Sequence, residues 1–271
     1  LKTTPLPCYT YSVPRFLIPA LRVLFGIRSS ISRDAALLLK GAHPAPRALN
    51  VHHIPPTSPF LLVVNHYDHP GLGAWWGVAT IAAAIAAQRT REPRDIRFMM
   101  TREWWYPPGL GRLVKQPLTR WFFGKISKTY GMILLPPVLG NNEFRGEGTL
   151  AIRGAVALTR GDPPALLGVA PEGKTGDNLT LCQPPIGAGL FLLLLTRDTI
   201  PVLPCGIFED DNTRTLTVNF GAPFQLNVPR RLPKAERDGQ AARQAMVHIG
   251  ALLPERMWGV YYEEIKALFN S

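Results

Sequence analysis

The five residues Phe60 to Val64 constrain this chain more than any other stretch. They form an unbroken apolar run directly after the turn-forming segment Pro55-Pro56-Thr57-Ser58-Pro59. An apolar run of that length, bounded by prolines, predicts a short strand buried on both faces. Such strands belong inside a sheet covered by helices on each side. The run stops abruptly at Asn65-His66-Tyr67-Asp68-His69, and Leu72 to Ala87 then has the composition of a buried helix. In sheets of this kind reactive side chains collect where strands end and loops begin, because the rigid sheet holds them up to solvent. His66 stands at that point.

The remaining pattern extends the same architecture. Short apolar runs predict strands near Leu49–Ile54 and at Ile96–Met100, Met132–Leu135, Ala165–Val169, Thr199–Ile207 and Arg214–Phe220. Helical periodicity covers Pro14 to Lys40, Thr149–Arg160, Gly187–Thr196, Lys234 to Leu253 and Trp258 to Phe269, whereas residues 141–148 read as a polar loop. Strands alternating with helices predict an α/β fold with a largely parallel sheet flanked by helices. Residues 1–48 read as an N-terminal helical segment and residues 49–271 as the α/β domain.

Charge narrows the choice of partner. The formal net charge is +11, which favours an anionic partner such as a phospholipid surface, nucleic acid or a phosphorylated substrate. Residues 88–128 hold ten Lys or Arg against three acids, so +7 of the total lies in about a seventh of the length. Trp104, Trp105, Tyr106, Trp121, Phe122 and Phe123 are interleaved with those cations. That mixture suits a membrane interface, where each basic residue near anionic lipid contributes roughly 1 kcal/mol. It also suits single-stranded nucleic acid, which is the less favoured partner. A solvated basic face with its aromatics turned inward is the plain structural alternative. Arg15, Arg22, Arg28 and Arg33 punctuate the apolar N-terminal segment. That pattern fits either a helix lying among lipid headgroups or a helical pair packed on the core. No stretch reaches the ~18 apolar residues of a spanning helix. The cysteines Cys8, Cys182 and Cys205 are few and scattered, so neither a disulfide framework nor a cysteine-rich metal site is expected, and a reducing cytoplasm is the default. The N-terminus lacks the pattern of a secretory signal. It opens on Leu1 rather than Met, which reads as a fragment or a processed form.

Four short motifs occur in order between residues 60 and 207: Asn65-His66, Gly131-Met132-Ile133-Leu134-Leu135, Pro171-Glu172-Gly173 and Ile200-Pro201-Val202-Leu203-Pro204. Together they resemble the glycerolipid acyltransferase family, which includes the bacterial 1-acyl-glycerol-3-phosphate acyltransferases. The resemblance implies a glycerolipid-acyltransferase-like fold with a membrane-associating N-terminal segment, peripheral on the cytoplasmic side of the membrane. It implies transfer of a fatty acyl group from acyl-CoA or acyl-carrier protein, as co-substrate, to a hydroxyl of a lysophospholipid or related lipid. No bound cofactor or metal is implied. An imidazole titrates in the range that suits deprotonating an alcohol, which makes His66 the general base. A carboxylate should hold the other ring nitrogen. Asp68 and Glu172 are the two candidates, and the spacing of Asp68 within one turn tilts the expectation towards Glu172. Asn65, Gly173, Lys174 and Arg145 are the expected substrate-binding residues, with backbone N–H groups near Gly173 aimed at the oxyanion.

The pattern also departs from the family. Gly71 stands where the family keeps an aspartate five residues after the histidine, and Pro137 and Gly176 stand where it keeps arginines. Those arginines hold an acceptor phosphate, so Lys174, Arg145 and Arg153 are the cations left for that task. Two other readings follow. One is a non-catalytic lipid- or nucleic-acid-binding protein on the same fold. The other is a metallo-β-lactamase-like hydrolase, suggested by Tyr67-Asp68-His69 after His66, although Val64 occupies the place of that family's first histidine.

Overall fold

The computed structural model describes residues 9–10, 12–137, 145–197 and 199–270, with side chains of the last helical stretch before β5 from residue 148 onward. Its centre is a seven-stranded sheet among the described residues. The strands are β1 (Arg47–Leu49), β2 (Leu61–Val64), β3 (Arg97–Thr101), β4 (Ile133–Leu135), β5 (Leu167–Val169), β6 (Val202–Glu209) and β7 (Leu216–Phe220), in the order β1-β7-β6-β2-β5-β3-β4. All neighbouring pairs are parallel except β6 with β7. The carboxyl ends of β2, β3, β4, β5 and β6 therefore share one edge of the sheet. The fold is α/β with a largely parallel sheet flanked by helices, as the alternation of runs predicts.

β2 is the middle strand, and every residue of it is buried. Leu61 pairs with Leu167 of β5 on one side and with Val202 of β6 on the other. Burial on both faces explains why its sequence is continuously apolar rather than alternating. Each such side chain contributes roughly 1.5–3 kcal/mol when fully buried. α3 (Trp75–Gln88) packs on this core with Trp76, Ile81 and Ile85 inside. It begins three residues later than the sequence suggests, because Pro70 and Gly71 form a tight turn closed by hydrogen bonds between His69 and Leu72 in both directions. Gly71 has φ +95° there, a left-handed value that disfavours any side chain.

The N-terminal segment divides into α1 (Val13–Phe25) and α2 (Ile31–Leu39). α2 is a core helix: Ile31 and Ala35 are buried, and the backbone N–H of Ser32 and the hydroxyl of Ser30 both donate to Asp95. α1 instead packs on α4 (Leu110–Tyr130), with the Ser29 N–H donating to the Thr129 carbonyl at 2.9 Å. α4 was not predicted from sequence. Pro117 lies in its interior, and its cations and apolar residues give no single face. α5 (Arg145–Thr159) begins four residues before the predicted helix, inside the expected loop, and α6 (Ala188–Thr196), α7 (Lys234–Gly250) and α8 (Tyr262–Asn270) match their apolar patterns. The predicted strand near Leu49–Ile54 is shorter: β1 ends at Leu49 and a 3-10 turn covers Val51–His53.

Candidate active site

His66 is the second residue beyond β2, and the loop after β5 meets it from the neighbouring strand. Its Nδ1 lies 2.8 Å from the Thr175 hydroxyl and 3.2 Å from Asp68 Oδ1. The Thr175 hydroxyl in turn donates to Asp68 Oδ1. These three groups determine the tautomer. The Thr175 proton is spent on Asp68, so the hydroxyl can only accept from Nδ1, and a carboxylate is likewise an acceptor. Nδ1 therefore carries the proton. Nε2 keeps its lone pair and has no hydrogen-bond partner among the described residues. The ring is one-third exposed. The hydrogen bond from His66 holds the Asp68 carboxyl below its ordinary value, with the Thr175 hydroxyl adding to the effect.

Glu172 does something else. One carboxylate oxygen accepts from the backbone N–H of His66 at 2.9 Å, and the other accepts from the backbone N–H of Cys182 at 2.7 Å. The side chain is 2% exposed. Burial pushes its carboxyl above the usual range even though both hydrogen bonds pull the other way. The expectation that Glu172 rather than Asp68 steadies the imidazole is corrected by this geometry. Glu172 pins the backbone that carries the ring, and Asp68 and Thr175 engage the ring itself. Two residues along the loop proved no obstacle for Asp68, whose Oδ1 comes within 3.2 Å of Nδ1.

The expected substrate-binding residues fare differently. Asn65 is buried, and its amide pairs with the backbone of β6: Nδ2 donates to the Ile207 carbonyl at 2.9 Å and Oδ1 accepts from the Ile207 N–H at 2.7 Å. It behaves as one more peptide unit of the β2–β6 ladder. The Gly173 N–H closes a turn onto the Ala170 carbonyl at 3.1 Å, so it is not a donor for an oxyanion. Gly173 has φ +67°, which is what turns the chain from Glu172 towards Thr175. Lys174 is exposed beside Thr175 and has no ion pair among the described residues. The side chain of Arg145 lies outside the described part. Arg153 lines a separate shallow cleft with Ile152, Val156, Arg160 and Leu194.

A second histidine–acid pair lies three residues along the same loop. His69 Nε2 is 2.7 Å from Glu209 Oε2, which also accepts the Tyr67 hydroxyl at 3.0 Å. His69 Nδ1 is 2.9 Å from the Pro70 carbonyl oxygen, which can only accept. Both ring nitrogens are thus occupied, and the side chains of His69 and Glu209 are 6% and 2% exposed. Neither nitrogen of this ring is open to a substrate or a metal. Among the described residues no group of three or more His, Cys, Asp or Glu side chains is placed to hold a metal ion. Nothing in the sequence marks Glu209, since its partner lies 140 residues away.

The basic segment is not one face. Arg89 is fully buried and donates to the carbonyls of Ser58 and Thr57 at 2.9 and 2.8 Å, and also to that of Pro55, clamping the turn before β2. Arg120 donates to the buried Glu103 at 2.7 Å. Apolar side chains near these residues are nonetheless exposed. Trp104 is 57% exposed, Leu110 82% and Leu113 72% on α4, and Phe25 66% on α1. No helix among the described residues is long and apolar enough to cross a membrane.

The sequence matches no protein-family model and no curated protein. Among solved structures it is similar to the 1-acyl-sn-glycerophosphate (LPA) acyltransferase, PlsC, from Thermotoga maritima, at 13% identity and a TM-score of 0.46, with 95% of this chain and 94% of that chain covered. At that level of likeness the overlay assigns neither an activity nor a residue.

Proposed function

We propose that this protein is an acyltransferase that moves a fatty acyl group from acyl-CoA or acyl-carrier protein to a hydroxyl of a lysophospholipid or related lipid. The observation that carries the reading is the state of His66: Nδ1 is engaged by Asp68 and Thr175, and Nε2 is open at the carboxyl edge of the sheet. Nε2 takes the proton of the acceptor hydroxyl as its oxygen attacks the thioester carbonyl. The imidazolium so formed faces the Asp68 carboxylate, which stabilises it. Collapse of the tetrahedral intermediate breaks the carbon–sulfur bond, and the departing thiolate takes the proton back from Nε2. The ester and a free thiol result, and His66 returns to its starting state.

Other parts of the chain support the binding steps. The backbone N–H groups of Lys174 and Thr175 have no acceptor within the described chain, and in this reading they are the donors for the oxyanion. The exposed Lys174 ammonium suits an anionic acceptor headgroup. The exposed apolar side chains of α1 and α4, with Trp104 and Trp105 and the cations among them, suit peripheral docking on anionic lipid at the cytoplasmic face.

A thiol-release assay with acyl-CoA and mixed lysophospholipid acceptors tests the reading. Turnover in the wild type and its loss in a folded His66→Ala variant support it. Vesicle binding without turnover on any acceptor would instead favour a lipid-binding protein. Joint replacement of Trp104, Trp105 and Arg102 by alanine should weaken binding to vesicles containing anionic phospholipid, and unchanged binding would remove the docking surface from the proposal.

A further inference from the structure

We infer that Thr175 is a positioning residue that replaces the missing family aspartate geometry: its hydroxyl links His66 Nδ1 to Asp68 and fixes the ring as the Nδ1–H tautomer. This inference rests on the proposed acyl transfer for its effect on rate, though not for its effect on the ring.

The need for such a residue is visible in the loop. Position 71 is a glycine at φ +95° inside a closed turn, so no carboxylate can be placed there without strain. Asp68 supplies the carboxylate instead, but from a separation of 3.2 Å and with its side chain 44% exposed. Exposed pairs of that kind are individually weak, because water competes and the side chain must be held in one geometry. Thr175 supplies the constraint. Its hydroxyl lies 2.8 Å from Nδ1 and donates to the same Asp68 oxygen, so ring, hydroxyl and carboxylate form a closed triangle. A β-branched side chain is stiff about χ1, and this one is carried by the loop after β5. That loop is fixed in turn by Glu172, which grips the backbone of His66. The triangle therefore joins two adjacent strands, and every member has its proton assigned.

Two measurements test the inference. The first is the nitrogen NMR spectrum of the histidine-labelled protein, with His66 assigned by comparison with His66→Ala. In the neutral wild-type ring Nδ1 should appear protonated and Nε2 unprotonated. A neutral ring protonated on Nε2 would overturn the inference without any variant of Thr175 being needed. The second is kinetics. In Thr175→Val, kcat should fall about tenfold with KM unchanged, the rate equivalent of one hydrogen bond to a charged group. Thr175→Ser should restore most of the rate and the wild-type tautomer. A Thr175→Val enzyme with wild-type kcat and tautomer, beside an inactive His66→Ala, would refute the role of Thr175 and leave the acyltransferase reading standing. An active His66→Ala would refute that reading itself. With no turnover from the wild type, the tautomer in Thr175→Val decides alone: a mixed population supports the inference and an unchanged one overturns it.

Discussion

Two histidines three residues apart in one loop meet two acids, and the results are opposite. His66 is fed by the strand on one side of β2 and His69 by the strand on the other. On the β5 side, a half-exposed aspartate and a threonine hold one nitrogen and leave the other open. On the β6 side, Glu209 and the Pro70 carbonyl take both nitrogens of His69, and the Tyr67 hydroxyl completes a buried cluster. A histidine beside an acid is therefore no mark of catalysis by itself. What the geometry separates is a ring with one nitrogen left without a partner among the described residues from a ring held at both.

The sharpest way to break this comparison is to remove each ring in turn. His66→Ala should lower turnover by about 10²–10⁴ and leave stability within about 0.5 kcal/mol, as for a change outside the core. His69→Ala should instead destabilise the fold by about 1–3 kcal/mol, since it leaves the buried Glu209 carboxylate with the Tyr67 hydroxyl alone. Denaturant unfolding and single-turnover kinetics on the same preparations check both. A His69→Ala protein that is stable and inactive would exchange the two roles.

Smaller effects refine the contrast among the acids. Glu172→Gln removes a buried charge, yet it should cost about 1–3 kcal/mol because an amide nitrogen must then face a backbone N–H. A gain in stability on unfolding would mean that the two hydrogen bonds matter less than the burial they offset. The smallest effect is the pH response of Asp68. Its carboxyl is lower in the folded protein than in the unfolded chain, so its contribution is complete above the ordinary value of about 4 and is lost as pH falls through the lower folded value. Glu172 is shifted upward, so its titration favours folding below the ordinary value, an advantage lost as pH rises through the folded value. Asp68→Asn should therefore flatten part of the acid side of the stability curve, and Glu172→Gln should alter the curve at higher pH. A curve for Asp68→Asn that overlays the wild type would show that the ring contact carries no linkage.

Strand positions were legible because β2, β5 and β6 are apolar on both faces and bounded by prolines and glycines. The position of His66 followed from the same run. α4 was hidden, because helix-interior Pro117 and mixed charges erase the period that marks a surface helix. The partner of the imidazole was hidden for a different reason. Glu172 stands one strand over, as the motif order suggests, but whether a carboxylate meets a ring or the backbone beneath it depends on fractions of a turn. Thr175 carried no signal at all, since a threonine after Glu172-Gly173-Lys174 is ordinary in a loop. Asn65 looked like a site residue because it adjoins His66, and the sheet had already claimed both ends of its amide.

The grip of Glu172 on two stretches of backbone has a further consequence. It ties the backbone under His66 to the loop after β5 and to Cys182, independently of anything that binds above. For the proposed acyl transfer, preferences for chain length or headgroup would then be set at the rim, around Lys174 or along the exposed helices, apart from the chemistry below.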